Sequence, residues 1–121
     1  MGHDGDRAEH LINIPLKLLG SPEVESASGA GPERDFPHRQ HVYYLDVTTV
    51  GSPEGTLDVD IEGYDHTSKQ WYVIASFAQI TTTIGTERLQ PGAQVPDSPI
   101  RAAWAITGGG FTFTVGCTAK D

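Results

Sequence analysis

Residues 56–64 read T-L-D-V-D-I-E-G-Y. In an extended chain, successive side chains point to opposite faces of the sheet. Leu57, Val59, Ile61 and Gly63 then share one face, and Thr56, Asp58, Asp60, Glu62 and Tyr64 share the other. One set is apolar and the other polar, which is the pattern of a strand with one face on a core and one in water. The same period of two returns in residues 41–50, HVYYLDVTTV, with Tyr43, Leu45 and Val47 on one side. It returns again near the end of the chain. Ile100, Ala102, Trp104 and Ile106 alternate with Arg101, Ala103, Ala105 and Thr107, and beyond a GGG turn Phe111, Phe113, Val115 and Cys117 alternate with Thr112, Thr114, Gly116 and Thr118.

Turn signals separate these runs. GSPEG at 51–55, DHTSK at 65–69 and GGG at 108–110 carry the glycine, proline and Asx residues of tight connections. The reading gives a hairpin over 41–64, a further strand at 70–77, a short strand within 78–89 and a second hairpin over 100–118. A short strand is expected near Val24–Ser28. Residues 11–19 alternate Ile12, Ile14, Leu16 and Leu18 against Asn13, Pro15 and Lys17. Pro15 places that segment at a sheet edge or in an extended arm. Residues 91–99, with three prolines and a glycine, exclude regular structure. Strands number about seven or eight at intervals of roughly 8–12 residues, the spacing of an antiparallel sandwich. The expected fold is an all-β antiparallel β-sandwich, jelly-roll-like or immunoglobulin-like, with an extended N-terminal segment; a small barrel is the alternative. Residues 1–40 read as tail, arm and loop with one or two edge strands, and 41–121 as the sandwich core.

The 121 residues suit one domain. A net charge of −8, with no Lys/Arg cluster, argues against nucleic-acid binding. The single cysteine, Cys117, has no partner for an internal disulfide and reads as a small buried residue on a strand. The apolar run at 11–19 is too short to cross a bilayer, and the acidic start lacks the features of a signal peptide, so a soluble protein made in a cytoplasm and free of membranes is expected.

The acidic row invites a metal or a catalytic reading, and neither is adopted. Asp58 and Asp60 stand about 6.5–7 Å apart on a flat strand, too far to share an ion unless a neighbouring segment supplies further oxygens. The five histidines, among them the His38 and His41 pair, read as solvated. No serine lies in a nucleophile elbow, and the GGG turn lacks a phosphate loop's lysine. No enzyme, cofactor or metal is therefore expected. Tyr64, Trp71 and Tyr72 form a candidate aromatic platform for a surface glycan, although Trp71 and Tyr72, adjacent in a strand, point opposite ways, one expected in the core and one at the surface.

Taken together, Leu57, Val59, Ile61, Gly63, Trp71 and Phe77, then Ile100, Arg101, Trp104, Gly109, Phe111, Phe113, Val115 and Gly116, resemble a pattern of small structural proteins of tailed bacteriophages. It covers roughly residues 42–120. The resemblance implies a non-enzymatic virion protein on the exterior of the phage head, a capsid decoration or stabilising protein. Its implied partners are the major capsid protein or other virion proteins and further copies of itself as a homo-oligomer. A carbohydrate-binding adhesion module and a tail or head–tail connector subunit are the alternatives. Candidate partner contacts are Leu11, Ile12, Ile14, Leu16, Leu18 and Phe36, with the loops at 28–40 and 91–99.

Overall fold

The structure, a computed structural model, describes residues 12–17, 25, 27–35, 40–50, 55–90 and 99–120. Eight strands run in chain order: β1 (Ile12–Lys17), β2 (Gly29–Ala30), β3 (Gln40–Val50), β4 (Thr56–Asp65), β5 (Gln70–Ser76), β6 (Gly85–Leu89), β7 (Ile100–Thr107) and β8 (Phe111–Lys120). They form two four-stranded sheets, β1-β8-β3-β6 and β2-β7-β4-β5, and every pairing is antiparallel. Only β4 and β5 are both consecutive in the chain and neighbours in a sheet; the other connections pass from one sheet to the other. That is the order of a jelly roll, two interleaved Greek keys closed into a sandwich.

The alternations predicted from sequence set the faces. Along β4 every second residue from Leu57 to Gly63 is buried, and Asp58, Asp60, Glu62 and Tyr64 lie on the wetter side. Tyr43, Leu45 and Val47 of β3, Ile100, Ala102, Trp104 and Ile106 of β7, and Phe111, Phe113, Val115 and Cys117 of β8 complete the core with Leu16 and Phe77. Trp104 and Phe113 meet edge to face across the sandwich, ring centres 5.4 Å apart.

Both expected hairpins are corrected. β3 and β4 lie in different sheets, and so do β7 and β8. Alternation tells which side of a strand is apolar but not which strand lies beside it. The connections around Gly55 and Gly108–Gly110 therefore bridge the two layers. Gly55 is fixed there by crowding, since a Cβ would collide with the Thr107 carbonyl oxygen. The strand expected at 24–28 is instead a single bridge from Glu25 to Phe111, followed by the two-residue β2.

The N-terminal segment is an edge strand of the protein's own sandwich, paired with β8 from Ile12↔Ala119 to Lys17↔Val115. The register slips between Pro15 and Lys17, so Leu16 is an extra residue in the ladder. This corrects the strict alternation of 11–19: Leu16 and Lys17 are both buried. The Lys17 ammonium donates to the Phe113 carbonyl at 3.0 Å, lies 3.4 Å from a Glu25 carboxylate oxygen and sits 4.4 Å from the Phe113 ring centre. A buried cation needs such partners.

Candidate functional site

On the outer face of the second sheet, β7, β4 and β5 stand side by side. Arg101 faces Glu62, and Tyr64 faces Trp71. Arg101 Nε donates to Glu62 Oε1 at 2.8 Å, and its guanidinium lies 4.1 Å from the Trp71 ring centre. Trp71 in turn meets Tyr64 at 5.2 Å between centres, 65° between planes, and Tyr64 meets His66 at 5.0 Å and 81°. Planar guanidinium on indole, with a carboxylate fixing the guanidinium, holds the Trp71 ring in one orientation. Tyr64, His66 and Trp71, with Glu33 and Pro99, border a hollow of about 380 Å³.

The turn that carries His66 is built locally. The Asp65 carboxylate accepts from the Thr67 N–H at 2.9 Å and from the Ser68 hydroxyl at 2.8 Å, an Asx turn. These hydrogen bonds, the Ser68 one foremost, hold the Asp65 carboxyl below its usual range. Lys69 closes the turn at φ 61°, donating its N–H to the Asp65 carbonyl at 2.7 Å.

The platform expected from Tyr64, Trp71 and Tyr72 is thus resolved. Tyr64 and Trp71 come together, joined by His66, and Tyr72 lies on the other side of β5, opposite Gly63. The expectation that one of Trp71 and Tyr72 enters the core is corrected: Trp71 is half-buried and Tyr72 is 39 % exposed. β5 is an edge strand with only β4 beside it, so its side chains lack a second flank. The acidic row meets the solvent-face description. Asp58 accepts from the Gln79 amide at 3.0 and 3.2 Å, and Glu62 is taken by Arg101. Among the described residues, no three His, Cys, Asp or Glu side chains are grouped to hold a metal ion.

Other expected residues fall as follows. Leu16 is fully buried and Ile14 packs against the core, so their apolar surface is met inside the protein. Ile12 pairs with Ala119 in β1, while Leu11, Leu18 and Phe36 lie outside the described residues, as do most of the 91–99 loop and His38. His41 is not solvated: it is buried, with Nδ1 2.6 Å from the Tyr43 hydroxyl. Burial, with smaller contributions from Cys117 and Tyr72, pushes the Tyr43 hydroxyl up. Burial likewise pushes the Cys117 thiol up to about 12, which leaves it protonated and inert at neutral pH.

The sheet edges differ. β1 carries Pro15, β2 is two residues long, and β6 carries Glu87 and Arg88. Prolines, charges and short length are what keep an edge from pairing with another chain. β5, QWYVIAS, has no charge and no proline; a bulge at Ile74 is its one such device. Beside that edge Val73 is 52 % exposed.

No protein-family model matches the sequence, and no curated protein does. Among solved structures, the chain is similar to the CBM22-1–GH10 modules of Clostridium thermocellum N-terminal endo-1,4-beta-D-xylanase 10B, complexed with xylohexaose. The TM-score is 0.46 at 16 % identity, over 93 % of this chain and 25 % of that one, so the chain spans a quarter of that structure's length. Of the positions that carry the phage resemblance, Leu57, Val59, Ile61, Phe77, Ile100, Trp104, Phe111, Phe113 and Val115 are core. Trp71, Arg101 and Gly116 are not, and core packing does not account for them.

Proposed function

We propose that the protein is a non-enzymatic structural component of a tailed-phage particle, displayed on the head exterior and docked there through the open edge of β5. The observation that carries the reading is the contrast among edges. Three are blunted by proline, charge or brevity, and the fourth offers an uncharged strand with Val73 exposed beside it. An extended segment of a capsid protein, or β5 of a second copy, adds to such an edge by main-chain hydrogen bonds. The acidic surface, −8 overall, suits a basic patch on the partner. The resemblance over 42–120 supports the same reading.

The test is sedimentation of the protein with DNA-filled heads. Wild type is expected to travel with the particles, and Val73→Lys, which places a charge on the edge without touching the core, to remain at the top of the gradient with an unchanged far-UV spectrum. Val73→Lys co-sedimenting like wild type overturns the edge as the docking site. Wild type confined to soluble fractions overturns the virion reading.

A second reading, adhesion to a glycan, is favoured by the hollow framed by Tyr64, His66 and Trp71. Ring faces pack on the C–H faces of sugars, so a bound sugar would change Trp71 fluorescence. Unchanged emission from a Trp104→Phe variant, in which Trp71 is the sole tryptophan, sinks this reading.

A further inference from the structure

The outer face of the first sheet holds a larger groove that none of these contacts uses. Pro15 of β1, Gly116 of β8 and Tyr44 of β3 stand abreast on one rung. The rung on one side holds Asn13 and Thr118, and the rung on the other holds Thr114 and Asp46. With no side chain at Gly116, an open groove of about 580 Å³ lies between the strands.

The backbone does not demand this glycine. Gly116 is not among the glycines with positive φ, and a Cβ there would meet nothing nearer than the Ile14 carbonyl oxygen at 3.9 Å, an ordinary contact. Gly55 differs, because its carbonyl neighbour excludes any side chain. Glycine within a strand weakens it, and often marks where a ligand comes close. At Gly116 a side chain would fit and would strengthen the strand, so the space is left for something outside the fold.

The lining selects the occupant. The Thr118 hydroxyl donates to Asn13 Oδ1 at 2.9 Å, and Asp46 Oδ1 accepts from the Thr86 hydroxyl at 3.1 Å, so amide, hydroxyl and carboxylate rim an apolar floor. Lys17 also borders the groove, but its ammonium is held by the Phe113 carbonyl and Glu25. With Asp46 on the rim and a net charge of −8, an anion is repelled. A peptide laid here would cross the face of β8, whose ladder partners on both sides are β1 and β3, and its own backbone groups would go unpaired. A lipid chain would strip water from the carboxylate and amide without replacing it. A neutral sugar has weakly polar C–H faces for the Tyr44 ring and hydroxyls for the rim.

We infer that this groove binds a neutral oligosaccharide, with Tyr44 packed on a sugar ring and Asp46, Asn13 and Thr118 exchanging hydrogen bonds with its hydroxyls. Thr114 to Thr118 spans about 13 Å along the strand, room for more than one sugar. The inference is independent of docking through β5 and shares only a ligand class with the Trp71 hollow on the opposite sheet.

The experiment is an amide chemical-shift titration of the whole chain with cello-, xylo- and mannohexaose. Saturable shifts at residues 44–46 and 114–118 are expected. Gly116→Val and Tyr44→Ala, each with a native-like spectrum, should weaken that binding by tenfold or more. Shifts confined to residues 64–71 overturn the groove and support the Trp71 hollow; shifts confined to the groove do the reverse. No shift at millimolar sugar, or Gly116→Val binding as wild type does, overturns the inference, and particle sedimentation is unaffected by either result.

Discussion

The two sheets share a plan but not a surface. Each has two long central strands, β8 with β3 and β7 with β4, and two shorter edges. Their inner faces are alike, apolar and closed against one another. Outside, the first sheet runs low over Gly116 between Pro15 and Tyr44, whereas the second rises into the Arg101–Trp71–Tyr64 stack above a row of carboxylates. The difference teaches where the constraint lies. The core dictates half the residues of every central strand, and the other half are free to give each face its own chemistry.

The sharpest way to break this comparison is through the shared core. Phe113 is fully buried, touches Trp104 and carries the Lys17 ammonium over its ring. Phe113→Ala should cost about 3–5 kcal/mol and lower the urea midpoint as one transition. Two separated transitions would mean that the sheets do not share a cooperative core.

A smaller effect sharpens the account of the second face. Arg101→Ala removes both the stack on Trp71 and the partner of half-buried Glu62, and should cost about 1 kcal/mol. A double-mutant cycle with Trp71→Ala isolates the ring contact. Additive losses would show that guanidinium and indole are merely adjacent.

The smallest effect depends on pH. The Asp65 carboxyl titrates below its ordinary value of 3.8 because it accepts from Ser68 and Thr67 in the folded turn. A depressed folded value stabilises the fold above the unfolded pKa, and that contribution disappears as pH falls through the folded one. Asp65→Ala should therefore be slightly less stable than wild type at neutral pH, and the two should converge on acidification past 3.8. A gap independent of pH would assign the loss to the Asx turn's shape rather than its charge.

What was legible in the sequence follows from the same division. The period of two placed Leu57, Val59, Ile61, Trp104 and Phe113 in a core because alternation is a property of one strand alone. It did not show that β7 and β8 part company at Gly108–Gly110, since strand partnership is settled by packing across the whole chain. The burial of Lys17 was hidden because a bulge shifts phase without leaving a mark in composition. Tyr64 and Trp71 were readable as neighbours across a tight turn. Arg101 was not, being brought to Trp71 only because β4 lies between β7 and β5. Gly116 looked like one more outward position in an alternating run, and only the hollow above it distinguishes it.

The pairing of Ile12 with Ala119 has a mechanical consequence. The chain enters β1 and leaves β8 on a single rung, on the same side of the sheet. A pull on those two ends opens β1 from β8 like a zipper, loading the Asn13–Thr118 rung only after the first has parted. Rungs loaded one after another yield at low force, whereas a pull along the strands loads them all together. A particle that held this protein by both ends would thus release its edge strand under modest tension, and one that gripped it through the edge of β5 would leave β1 and the core behind it unstrained.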